Sequence, residues 1–279
     1  MTNRFSRRGI AGLAALPAFF IGSAQAQTTT ESAFDRVSRT KVLRVAAFPG
    51  ALPYFAKDLA SGNWVGACVE MSNDLAKVFD AKVEYVESTY GAAVLDLQTN
   101  KIDLSFALNP TPARALSITF SKPTLIHPFG AILKNGFEAK NWADVNKPAV
   151  RIVVDRGSLH QVAATRLAPK AQLIVVEKAD EAILTMQSGR ADVNILAAML
   201  ALSALGKNPS LGHFSLLGNP TFALPSCIGL RREPDTRLRE VVDAWLDISR
   251  GTGLIREWLI AGVEMNGAKR EDFPSDLTF

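Results

Sequence analysis

Arg114, in the stretch Thr111-Pro112-Ala113-Arg114, carries a guanidinium whose planar fork makes two parallel charge-assisted hydrogen bonds to a carboxylate. Taken alone, it reads as a surface arginine or as the partner of a nearby acid. Gly157-Ser158 ends one expected strand and opens a helix, so backbone N–H groups there can meet an anion. Ser158 also suits a plain helix N-cap. The three histidines, His127, His160 and His213, are too scattered for a zinc pattern. Of these only His160 falls near the Gly157-Ser158 turn, and it reads as a helix-surface residue; no His–carboxylate pair is apparent. The chain holds no Gly-rich phosphate loop, Ser–His–Asp set or CxxC. Cys68 and Cys227 lie far apart and read as buried free thiols.

These groups need a scaffold, and composition bounds it. The chain has 279 residues, 48% hydrophobic and 21% charged, which excludes disordered, collagen-like and disulfide-framework classes. Its net charge of +4 invites a nucleic-acid reading. However, three of the 31 basic residues (Arg4, Arg7, Arg8) and none of the 27 acidic ones fall in residues 1–26, so the remainder is near balance. No basic run appears later, and nucleic acid is excluded as a partner.

Residues 1–26 read as a signal peptide: arginines, then a small-residue apolar stretch, then Ala24-Gln25-Ala26 before an expected mature start at Gln27. About a dozen apolar residues interrupted by Pro17 are too few to span ~30 Å of hydrocarbon. Ser6-Arg7-Arg8 resembles a twin-arginine signal, with a Sec signal as the alternative. Export without an anchor points to the periplasm or to secretion, and the lack of a later apolar run long enough to span a membrane predicts a soluble mature protein.

Along the rest of the chain, strands are expected at 42–47, 83–86 and 102–107, with helices at 68–79 and 91–98 between them. The pattern restarts with strands at 151–154, 174–176 and 191–196 and helices at 159–167 and 180–188. A strand at 227–230 and helices at 236–249 and 254–261 close the chain. The segments 97–104 and 186–193 share Gln, hydroxyl, basic and Asp residues at matching offsets. The reading is an α/β fold of two lobes, each a mostly parallel sheet flanked by helices, with a ligand cleft between them. Lobe 1 is expected over 40–126 and 231–279, and lobe 2 over 127–230.

The residues at 43–121 resemble the first lobe of the polar-amino-acid class of periplasmic solute-binding proteins, the receptors of ABC importers (solute-binding protein family 3). The resemblance is carried by LRVAAF, CVEMSNDLA, Tyr90-Gly91, LQTNKIDLSFALNPTPAR and ITFSKP, then by NWADV, RIVVDRGS, MQSGRADV and SCIGLRR. It implies a type II two-lobed periplasmic-binding-protein fold. It also implies that Arg114 clamps a ligand carboxylate and that the Gly157-Ser158 turn completes the clamp from lobe 2 on closure. Leu108, Asn109 and Thr111 occupy the loop after a parallel strand, where ligands of open α/β sheets bind. Tyr90 stands where the family packs an aromatic on the ligand, and Phe48 makes the same rim more apolar.

One departure from the family bears on the ligand. Receptors of this class carry an Asp at the end of the strand matching 191–196, where it holds the ligand's ammonium; this chain has Ala197 and Ala198. A buried ammonium without a partner is costly. Asp155 either substitutes from another angle or is a solvated strand-end acid. The expectation is a monomeric, non-enzymatic receptor without cofactor or metal. It takes a small organic acid or amino acid and delivers it to a membrane permease. The alternatives are a dehydratase of cyclohexadienyl acids on the same scaffold, which the family includes, and a sensor that feeds no transporter.

Overall fold

The computed structural model of the chain describes residues 31–221 and 223–269. The signal-peptide reading of residues 1–26 lies outside them. Helix α1 (Ala33–Thr40) starts at Ser32, whose hydroxyl accepts from the Asp35 N–H. Strand β1 (Val42–Ala47) follows, then a short antiparallel pair, β2 (Ala56–Lys57) and β3 (Trp64–Val65). Helix α2 (Ala67–Val78) buries Cys68, Met71 and Leu75, the stripe that its helical spacing predicts. The first half continues with β4 (Lys82–Glu87), α3 (Ala93–Gln98), β5 (Leu104–Leu108) and the single turn α4 (Pro112–Ala115). β1 runs parallel to both β4 and β5. Every residue of β5 is buried, as a central strand covered on both faces requires.

The long strand β6 (Ile118–Leu133) carries the chain into the second half, through α5 (Trp142–Val145), β7 (Arg151–Asp155), α6 (Leu159–Leu167), β8 (Gln172–Val176), α7 (Ala179–Gln187) and β9 (Val193–Ala197). Helix α8 (Ala198–Lys207), β10 (His213–Ser215), β11 (Ala223–Arg231), α9 (Arg237–Gly251) and α10 (Leu254–Glu264) complete it. β7 lies parallel between β8 and β9, repeating the arrangement of β1 between β4 and β5. The strand order is β4-β1-β5-β11-β6-β9-β7-β8, with β10 on β6. This is the two-lobed α/β architecture that the residues predict.

β6 joins the halves: Ile118 to Pro128 pairs with β11, and Phe129 to Leu133 pairs with β9. The strand changes partner between Pro128 and Phe129. β11 pairs with β5 through Cys227, Gly229 and Leu230, so this strand belongs with the first half rather than with the second lobe expected over 127–230. Its apolar run fits either sheet, and only pairing decides which one it completes.

The repeated Asp of 97–104 and 186–193 has a structural role. Asp103, just before β5, accepts from the Arg44 N–H of β1 at 2.7 Å and from the guanidinium groups of Arg44 and Arg36. Asp192, just before β9, accepts from the Arg151 N–H of β7 at 2.9 Å and from the Arg151 and Lys134 side chains. Arg151 holds the Asp192 carboxyl well below the usual carboxylate range. The first aspartate ties β5 to β1, and the second ties β9 to β7.

One core gathers Leu43, Met71, Leu97 and Phe106, and a second gathers Trp142, Ile152, Val154 and Ile195. Cys68 and Cys227 are both free and buried. Among the described residues no helix is long and apolar enough to cross a membrane.

Candidate functional site

The carboxyl ends of β1, β5, β7 and β9 face one another across the junction of the two halves. β5 carries one more residue than β11 between Ser105 and Leu108, a bulge. Ala107 at this point has φ of 54°, an uncommon conformation for a residue with a side chain. The turn sends the chain into Asn109 and then to Thr111, whose hydroxyl caps α4 by accepting from the Arg114 N–H at 3.2 Å. The Asn109 side chain donates to Pro225 O at 2.8 Å, which fixes the loop against β11.

Arg114 is held by backbone oxygens alone. Its Nη1 donates to Asn109 O at 2.7 Å, and its Nη2 donates to Gly157 O at 2.8 Å and to Tyr90 O at 3.4 Å. Burial pushes the guanidinium's pKa down, against the opposing pull of Tyr90 and Asp155, although an arginine keeps its charge in any protein. Among the described residues no carboxylate lies within ion-pair distance of it. The bond to Gly157 reaches from the first half to the second.

Gly157 has φ of +69°, and a Cβ built on it would stand 2.6 Å from the Cα of Gly91 in the first half. The two glycines therefore let the halves touch backbone to backbone. Replacing Gly157 by Ala is expected to cost about 1–2 kcal/mol for the left-handed backbone and to block this approach. Ligand affinity should fall about tenfold or more, with the radius of gyration in solution staying large when ligand is added. A compact liganded Gly157→Ala protein would show that closure does not need this contact.

Tyr90, Asn109, Arg114 and Ser158 line one narrow chamber, together with Tyr54, Ala107, His127, Leu159, His160, Ala197 and Leu200. Other expected site residues take different places. Leu108 is fully buried, and a Cβ on Gly229 would meet its Cδ2 at 2.9 Å; it is a core residue, because the bulge turns its side chain inward. Phe48 packs against Tyr90 with the rings tilted and their centroids 4.5 Å apart, and so supports the chamber wall. Thr111 acts as the α4 cap. Ser158 caps α6: its hydroxyl accepts from Gln161 N–H and donates to Asp155 O, and the Gly157 N–H is taken by Gln161 Oε1. The N–H groups left outside the helical ladder are those of the next residues, Leu159 and His160.

Asp155 and His160 depart furthest from the sequence expectation. His160 is only 5% exposed, and its Nδ1 lies 2.8 Å from Asp155 Oδ1, so a buried His–carboxylate pair exists after all. The helix-surface reading fails because Ala197 of β9, Phe129 of β6 and Tyr90 pack around the His160 ring. His160 Nε2 accepts from the Ala197 N–H at 3.3 Å, which leaves the proton on Nδ1, toward Asp155. Despite burial, His160 holds the Asp155 carboxyl below the usual carboxylate range. Asp155 therefore has its partner already, and it faces a separate cavity of about 480 Å³ that shares His160 and Leu200 with the chamber. This larger cavity is walled mostly by apolar side chains, among them Leu52, Ile183 and Leu196.

Tyr54, His127 and Leu200 are wall residues that sequence reasoning missed. Leu200 lies in the first turn of α8, just after the β9 carboxyl end, where the strand-end rule places ligands. His127 sits between Pro123 and Pro128 in a stretch without periodicity, so no local signal marked it.

With this geometry in place, the family is clear. Residues 43–257 match the bacterial extracellular solute-binding proteins, family 3, and the chain belongs to that family. It is 26% identical over 254 residues to the cyclohexadienyl dehydratase of Pseudomonas aeruginosa, covering 90% of this chain and 92% of that protein. It is 25% identical over 182 residues to a probable amino-acid ABC transporter-binding protein of Haemophilus influenzae, covering 64% of this chain and 68% of that one. Among solved structures it resembles an ancestral amino acid-binding protein, a precursor of cyclohexadienyl dehydratase. The TM-score is 0.75 at 26% identity, covering 85% of this chain and all of that one.

Proposed function

We propose that this protein is the periplasmic substrate-binding component of an ABC importer and captures a small carboxylate-bearing solute between its two halves. We place the carboxylate on Arg114, with the Leu159 and His160 N–H groups approaching it from the second half. Tyr90, backed by Phe48, covers the apolar part of the solute, and the adjoining 480 Å³ cavity gives that part room. In this reading residues 1–26 direct export, and the loaded receptor, a monomer, docks on a membrane permease.

One observation carries the choice of solute: Arg114 is the sole permanently charged side chain on the chamber wall among the described residues, and no carboxylate shares it. An α-ammonium would be buried there without a partner, since position 197 is Ala and Asp155 is engaged by His160. The favoured ligand is therefore an organic acid without an α-amino group.

The relationship to a cyclohexadienyl dehydratase supplies a second reading, turnover of such an acid in the same chamber. That chemistry needs a placed general acid. Both His160 nitrogens are engaged, and burial pushes the His127 pKa down to about 3, which favours capture over turnover.

The test is a thermal-shift panel on protein unfolded and refolded to strip bound ligand. It sets amino acids beside their deaminated carboxylates and cyclohexadienyl acids, with the last also followed by absorbance for loss of the ring diene. A ligand at 100 times its Kd adds about 2.7 kcal/mol. Stabilisation by deaminated acids without consumption is expected. A response to amino acids alone would overturn the ammonium argument, and catalytic loss of the diene would make the protein an enzyme.

A further inference from the structure

His127 is 3% exposed and lines the chamber, yet its Nε2 has no hydrogen-bond partner, whereas Nδ1 lies 3.3 Å from the Tyr54 hydroxyl. The ring stands edge-on to Phe129, with centroids 5.1 Å apart, and Phe129 in turn packs against His160 at 5.6 Å. These rings fix the imidazole plane, so the ring has little freedom to seek another partner. Buried as it is, the imidazole is neutral and carries a single N–H. Nδ1 is the hydrogen-bond partner of the Tyr54 hydroxyl, so giving it the Tyr54 proton satisfies both atoms and assigns the imidazole proton to Nε2. A buried donor without a protein partner is costly to leave unmet, and such groups in folded proteins have a reason to exist.

We propose that His127 is the second polar anchor of the ligand, donating from Nε2 to an oxygen elsewhere on the carboxylic acid that Arg114 holds, so that the solute class is the keto and hydroxy acids. This rests on the carboxylate reading above and narrows it. The donor also explains the selectivity: a ligand ammonium brings only N–H groups to a position that already offers one, whereas a keto or hydroxyl oxygen accepts it. Tyr54 is then a positioning residue, setting the tautomer that turns the donor inward.

Calorimetric titration of the ligand-stripped protein with phenylpyruvate, phenyllactate and 3-phenylpropionate tests this. The three acids share carboxylate and ring and differ in the oxygen at one carbon. On the unaltered protein the two oxygenated acids are expected to bind about 10- to 100-fold more tightly than 3-phenylpropionate. His127→Phe should bring all three within about twofold of the 3-phenylpropionate value, and His127→Gln, whose amide N–H reaches toward the position of Nε2, should restore part of the preference. Melting temperatures of both variants report folding, and the ligand comparison on the unaltered protein needs no variant. Equal binding of the three acids to the unaltered protein would overturn the His127 assignment and leave Arg114 as the carboxylate site. A preference that persists in His127→Phe would overturn it too. Failure of all three acids to bind, while the matching amino acids do, would overturn the carboxylate reading and this one with it.

Discussion

Arg114→Ala is expected to lower the affinity for any carboxylate ligand by a factor of about 30 to several thousand. Truncating one partner of a buried, hydrogen-bonded charge pair costs about 2–5 kcal/mol, and each 1.4 kcal/mol is about tenfold. Arg114 is placed to exert the full effect. Its guanidinium is half-buried, lacks an acidic partner among the described residues, and is aimed by three carbonyl oxygens from Asn109, Tyr90 and Gly157. The stability of the ligand-free protein should change far less, because losing those hydrogen bonds is offset by no longer burying a charge. Arg114→Lys keeps the charge and loses the fork, so it should also bind weakly. Titration calorimetry with melting curves on the same samples separates the two effects. An Arg114→Ala protein that binds an organic acid as tightly as the parent would remove the central element of the proposed function.

Asp103→Ala should have the largest effect on stability, a loss of about 3–5 kcal/mol, as expected when a buried ion pair loses one partner. Asp103 is fully buried, and the side chains of Arg36 and Arg44 that converge on it are only 12% and 18% exposed. The equivalent Asp192→Ala offers an internal comparison. Its partners Arg151 and Lys134 are 35% and 43% exposed, so water can replace the carboxylate and the loss should stay near about 1–2 kcal/mol. Chemical denaturation of both variants checks the order. Equal losses would mean that burial of the partners does not set the energetics, and a loss of binding without a loss of stability in Asp103→Ala would place this residue in the site.

These two aspartates show how much the sequence reveals. The match between 97–104 and 186–193 was visible as residue types at equal offsets, and it does mark two copies of one α/β unit. That each Asp reaches back to an arginine on the first strand of its own half required the parallel pairing of β1 with β5 and β7 with β9. Strands β1 and β7 and helices α2, α6 and α9 were legible because their periodicity is local. β6 was not. It holds Pro123 and Pro128 and lacks alternation, and it is a strand because it borrows two partners, β11 and then β9.

The site divides in the same way. The resemblance to the solute-binding family singled out Arg114, Tyr90 and Asn109, because taken alone Arg114 reads as a surface arginine; the Gly157-Ser158 turn was legible locally as a helix start. Sequence alone also determined the absence of an acid at Ala197. Tertiary structure decided the rest: that Leu108 turns into the core, that Asp155 is consumed by His160, and that Tyr54 and His127, 73 residues apart, meet at the chamber wall. Those outcomes depend on which side chains become neighbours when water is excluded. Burial sets the protonation of His127 and the cost of its unmet donor, and burial is a property of the packed molecule rather than of any segment of the chain.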